Sequence, residues 1–76
     1  MKQDLIKIIK ILGVDYKEIL VDIQLDAIVI NSLEIDNNNI IVHVFSGDMD
    51  IEFLYDDLSN KNKITIYQFL TSMLYN

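Results

Sequence analysis

The chain has 76 residues, enough for one small domain (1–76) and no second one. It contains no cysteine, which excludes disulfides and thiolate chemistry. Twelve acids against six lysines give a net charge of −6, and a chain so short of cations is poorly suited to neutralising phosphates.

Leu5, Ile8, Ile9 and Leu12 recur at helical spacing with Lys7 and Lys10 on the other side, which predicts a helix over about 3–12. Gly13 follows as its stop. Asp15, with Glu18 three residues later and Val14 placed to pack on Ile19, reads as a capping box with a hydrophobic staple. Tyr16, Ile19, Leu20 and Ile23 would then share one face of a short second helix ending near Gln24. Val21 to Ala27 also alternates apolar and polar residues, a strand pattern, so two readings compete over residues 16–25; the cap signals favour the helix.

Asp26 to Tyr55 reads as three strands. Asn37-Asn38 and Gly47-Asp48 are the turn candidates, because Asn and Gly tolerate positive φ. Two-residue turns at both places set the registers by counting: Val44 opposes Ile51, Val42 opposes Phe53, Ile40 opposes Tyr55, Leu33 opposes Val42 and Ile35 opposes Ile40. All of these fall on one face, as a sheet packed on helices requires. The other face would carry Ile30, Ser32 and Glu34, then Ile41, His43 and Phe45, then Asp50, Glu52 and Leu54.

Residues 56–62 are a polar loop. Thr65, Gln68, Ile64 and Phe69 repeat the capping grammar, and Ile66, Phe69, Leu70, Met73 and Leu74 form a helical stripe. The expected fold is therefore α+β: a three-stranded antiparallel meander packed on N-terminal and C-terminal helices, in the order α-α-β-β-β-α.

Between Glu18 and Asp57 stand ten acids and no lysine, while both ends are mildly basic. That field favours a basic partner. The residues are 51% apolar, fourteen of them Ile, and mean hydropathy is +0.26. A domain of this size buries only about 60% of its unfolded surface, so some of this apolar mass is expected outside, where it marks an interface. Lys7 and Lys10 interrupt any signal-peptide core, and no apolar run approaches the roughly 18 residues of a membrane span. A cytoplasmic protein that does not enter a membrane is expected. The scarcity of Ala and the abundance of Ile, Asn and Lys suit an AT-rich genome, such as a phage or a low-GC bacterium.

Candidate chemistry is thin. His43 is the single histidine and opposes Glu52 in the expected register, so an ion pair is available; no nucleophile motif lies near it, and Ser46 is a turn residue. Asp48, Asp50 and Glu52 alternate along a strand, about 6.6 Å apart and diverging, whereas a calcium site needs oxygens converging at ~2.3–2.6 Å. Gly47 alone makes no phosphate loop. Glu34 with Glu52, or Asp56 with Asp57, are carboxylate pairs that arise by chance in so acidic a chain. No catalytic residue, cofactor or metal is assigned. The strongest candidate is the patch of Ile41, Phe45 and Leu54 around His43, rimmed by Glu34, Asp50 and Glu52, with Asp48, Asp56 and Asp57 nearby: an apolar centre with a charged rim.

An opening helix with Asp4-Leu5-Ile6-Lys7, an acidic three-stranded meander and a closing helix together resemble the small acidic anti-CRISPR proteins of phages. The resemblance lies in element order and carries no diagnostic motif; this chain is less charged and more apolar. It implies an inhibitor that occupies the basic, DNA-binding surface of an effector nuclease, with Glu34, Asp48, Asp50, Glu52, Asp56 and Asp57 standing in for phosphates. The expected function is thus a non-enzymatic module that binds a basic protein partner, with inhibition of a nucleic-acid-handling protein as one form of it. The alternative is a homo-oligomeric structural or accessory domain, a dimer joined through the apolar sheet face.

Overall fold

A computed structural model describes residues 1–76. Helix α1 (Lys2–Leu12) leads into strands β1 (Glu18–Gln24), β2 (Val29–Asp36), β3 (Asn39–Ser46) and β4 (Met49–Leu54); a single 3-10 turn (Tyr55–Asp57) and helix α2 (Asn60–Tyr75) close the chain. The strands form one antiparallel meander in the order β1-β2-β3-β4. The class is α+β, as expected. The sheet has four strands rather than three, because the segment expected as a second helix is β1.

The cap reading fails at Asp15. An N-cap residue takes an extended backbone, but Asp15 and Tyr16 have φ of 57° and 61°. They are the centre of a tight turn, in which Lys17 N–H donates to Val14 O and Val14 N–H donates to Glu18 O. Asp15 is a type that tolerates this left-handed region, but tyrosine is poorly suited to it, so the sequence advertises only half of the turn. Once the turn is made, the alternation of the following residues takes over: β1 pairs along β2 and buries Ile19 and Ile23.

Helix α1 ends where the sequence places its end. It buries Leu5, Ile6, Ile8 and Ile9, with Asp4 in its first turn and Lys10 in its last, each favourable to the helix dipole. Gly13 has extended rather than left-handed angles, φ −79° and ψ 155°. Space demands glycine here: a Cβ would stand 2.6 Å from Glu18 O and 2.7 Å from Ile9 O, the oxygen that accepts the Gly13 N–H.

The two hairpin turns lie where Asn and Gly put them. Asp36 pairs with Asn39 and Ser46 with Met49, with positive φ at Asn37 and Gly47. Leu33–Val42, Ile35–Ile40, Val42–Phe53 and Val44–Ile51 are paired as counted. The expected Ile40–Tyr55 pair is not formed: the ladder ends at Ile41–Leu54, and Tyr55 opens the 3-10 turn, buried, with Lys63 Nζ 5.6 Å from its ring centroid. Burial first, and then the neighbouring Asp56 charge, raise the Tyr55 hydroxyl above its ordinary range.

Leu33, Ile40 and Val42 are fully buried in one core with Leu5, Ile9, Ile66 and Leu70. The face assignment therefore holds for β3, with one exception on β2. Ile30, expected on the outer face, is fully buried in that same core. The register of β1 on β2 slips between Leu20–Ser32 and Ile23–Ile30, setting Val21 and Asp22 against Asn31 alone. Such a bulge re-aims the side chains beyond it. The β2–β3 ladder stops at the same level, at Ser32–His43, and Phe45 N–H donates to Asn31 Oδ1 at 2.8 Å.

Helix α2 starts earlier than its apolar stripe suggests. Ser59 is the N-cap and accepts from Asn62 N–H at 3.2 Å. Thr65, the expected cap, lies inside the helix and donates to Lys61 O. Ile66 and Leu70 are buried, Phe69 and Leu74 half-buried, and Met73 is exposed. No helix is long and apolar enough to cross a membrane.

Candidate interaction surface

The meander brings four acids of the acidic block onto one surface. On the face turned from the helices stand Glu18 and Leu20 of β1, Ser32 and Glu34 of β2, Ile41, His43 and Phe45 of β3, and Asp50, Glu52 and Leu54 of β4. None of the six lysines belongs to a strand; they sit in α1, α2 and the turn before β1. Sequence segregation of charge thus becomes spatial segregation between the sheet and the helix layer.

His43 is the hub. Only 6% of its side chain is exposed. It lies directly across from Ser32 on one side and Glu52 on the other, yet it bonds to neither. Nδ1 lies 2.9 and 3.0 Å from the two Asp50 oxygens, and Nε2 lies 2.8 Å from Glu34 Oε1. Both partners are diagonal neighbours, so the expected Glu52 pairing is replaced by a bridge spanning three strands. Diagonal positions remain within reach of long side chains, and the two ring nitrogens point to opposite sides.

An ionised carboxylate only accepts hydrogen bonds. Each nitrogen must therefore carry a proton for both bonds to form, and the ring that satisfies Glu34–His43–Asp50 is the imidazolium. Burial works against that charge, but the hydrogen bonds the ring donates to Asp50 and Glu34, aided by the charges of those carboxylates, outweigh it and raise the ring above its ordinary value. A ring so held has no free nitrogen to take a proton from a substrate. Ser32 Oγ, fully buried beside it, makes no hydrogen bond to the ring.

Around the hub the surface is greasy. Leu20 is 71% exposed, Phe45 49% and Leu54 44%, while Ile41 is half-buried. Phe45 leans on His43, ring centroids 6.4 Å apart. Of the residues singled out in the sequence, Glu34, Ile41, His43, Phe45, Asp50, Glu52 and Leu54 are brought together. Asp48 stands in the turn at the end of this face. Asp56 and Asp57 lie apart in the 3-10 turn, where Asp56 pairs with Lys2 at 3.0 Å. Glu18 and Leu20 belong to the face but were hidden by the helical reading of their segment; the alternation beginning at Val21 was the signal that could have found them.

Two trios could approach a cation: Glu18, Glu34 and His43, and His43, Asp50 and Glu52, each with ligand atoms within 4.8 Å of one another. Both require His43, whose two ring nitrogens are hydrogen-bonded to Asp50 and Glu34. A surface depression lies at the edge of this face, beside the Asp15–Tyr16 turn, where Lys10 and Lys17 meet Asp36 and the Glu34 of the bridge. Comparison with protein-family models, curated proteins and solved structures finds no match.

Proposed function

We propose that the chain is a non-enzymatic, cytoplasmic interaction module that engages a basic protein partner through the outer face of its sheet. One observation carries this reading: Leu20, Phe45 and Leu54 stand exposed among Glu18, Glu34, Asp50 and Glu52, with no lysine on that face. The hydrocarbons supply affinity at the centre; the acids steer encounter and reject acidic surfaces. Nucleic acid is disfavoured as a direct ligand by the same single-sign field. Inhibition of a nuclease by covering its basic DNA-binding surface is one form that such binding would take.

Charge reversal at Glu18 and Glu52 tests the reading while removing no hydrogen bond of the His43 bridge, since neither residue makes one. Wild type and Glu18→Lys/Glu52→Lys serve as baits in a lysate of the source organism, and association with each captured protein is then timed at low salt. The variant is expected to associate about ten- to a hundredfold more slowly. An unchanged on-rate, or captured partners that are not basic, contradicts the proposal.

The same exposed hydrocarbons would serve a second reading, a homodimer through this face. Its acids would then oppose acids. Light scattering behind size exclusion separates the two readings: a dimer at tens of micromolar that Phe45→Asp dissociates without unfolding favours self-association.

A further inference from the structure

We propose that the basic partner docks as a fifth strand, adding antiparallel to the open edge of β4, through a segment that alternates Lys or Arg with large apolar residues. This rests on the reading above and names the chemistry of the partner.

Strand β4 ends the sheet, and its contacts are chiefly with β3. Every residue of it is exposed except Ile51, which is half-buried. The tight turn at Gly47-Asp48 makes Ser46 and Met49 a hydrogen-bonded pair. Antiparallel pairs alternate between bonded and non-bonded, so Met49, Ile51 and Phe53 spend their backbone groups on β3. Asp50 and Glu52 turn theirs to the open edge, and no side chain meets their N–H groups.

The two faces of this edge differ. Asp50 and Glu52 belong to the outer face. Met49, Ile51 and Phe53 point to the helix side, where Met49 and Phe53 are left exposed. An incoming strand thus meets carboxylates on one face and uncovered hydrocarbon on the other. Residues directly opposite on neighbouring strands share a face, so the matching strand places cations outward and apolar side chains toward the helices.

A second copy of this chain is the obvious competitor for an open edge. It is disfavoured by sign: any antiparallel register that overlaps most of β4 with its copy sets Asp50 or Glu52 against Asp50 or Glu52, and like charges directly opposed are unfavourable. Edge strands are commonly guarded by charge; here the guard is of one sign, so it repels a copy and admits a basic strand. Strand addition of this kind takes affinity from main-chain hydrogen bonds and specificity from alternate side chains.

The probe is a blocked decapeptide alternating Lys and Val, titrated into the 15N-labelled full chain. Binding is expected to move the Asp50 and Glu52 amide protons downfield and slow their exchange. In the antiparallel pairing, the lysine amides face β4 and the valine amides face solvent. N-methylation of the lysines should therefore weaken binding about tenfold or more, while N-methylation of the valines should not. If both methylated peptides bind equally, with shifts on Leu20 and Phe45, a basic ligand is engaged by the face and strand addition is overturned. If no lysine peptide binds at all, the basic-partner reading falls with it. Concentration-dependent shifts of Asp50 and Glu52 without peptide would assign the edge to a second copy instead.

Discussion

Replacing His43 by alanine is expected to lower stability by about 2–3 kcal/mol and to flatten its dependence on pH between 6 and 8. The ring is buried, so truncation leaves a cavity under Phe45 and between Glu34 and Asp50. Hydrogen bonds to charged groups are each worth about 1.5–3 kcal/mol. The full value is not expected here, because the partners are 39% and 48% exposed and water can replace the lost donors. The sign of the pH effect follows from the raised folded value. The contribution is complete below the ordinary histidine value of about 6.5 and is lost as pH climbs through the higher folded one. Wild type should therefore weaken from pH 6 to pH 8 in urea titrations. Histidine is the side chain that ordinarily titrates in this window, and the chain has one, so the slope reports on this site. A wild-type stability that rises over the window, or a His43→Ala variant with an unchanged slope, contradicts the bridge.

Gly13→Ala is the second large effect, and its sign is diagnostic. Gly13 has angles that any residue can adopt, and there glycine-to-alanine changes ordinarily stabilise by about 0.4–1 kcal/mol through the unfolded chain. The opposite is expected. The added methyl would meet two backbone oxygens well inside contact distance, Glu18 O and Ile9 O. Neither can move freely, since Ile9 O ends α1 and Glu18 O holds the turn into β1. Overpacking of this kind costs about 1–3 kcal/mol. A lower urea midpoint at unchanged m-value is the predicted result; a variant as stable as wild type would show that the helix and strand can part at no cost.

What the sequence disclosed and what it concealed have separate physical causes. Asn37 and Gly47 are residue types that tolerate positive φ, so the hairpins and their registers were readable, and with them the division of Val42 from His43. Tyr16 adopts the same backbone region without belonging to the types that announce it, and Asp15, which does belong to them, also fits a helix cap. Their turn imitated a helix cap, and β1 was concealed. The bulge opposite Asn31 depends on how two strands meet, so the burial of Ile30 could not be counted from either strand alone. Ser59 opens α2 within a polar stretch that has no apolar period. The candidate surface was legible because a meander keeps neighbours in sequence neighbours in space, which brings Glu18, Glu34, Asp50 and Glu52 onto one face of the sheet. The partners of His43 were not: register names the residue opposite, whereas the ring reaches the diagonals.

The central claim is that one exposed face of the sheet is both acidic and open, and paramagnetic cosolutes test it without a partner. Amide relaxation is measured in the 15N-labelled protein with a cationic and then an anionic nitroxide of equal size. The ratio of cationic to anionic enhancement is predicted to peak at Glu34, Phe45, Asp50 and Glu52 and to be lowest along α1 and α2, converging as salt is raised. A ratio uniform over the surface, or one that peaks on the helices, would contradict the account.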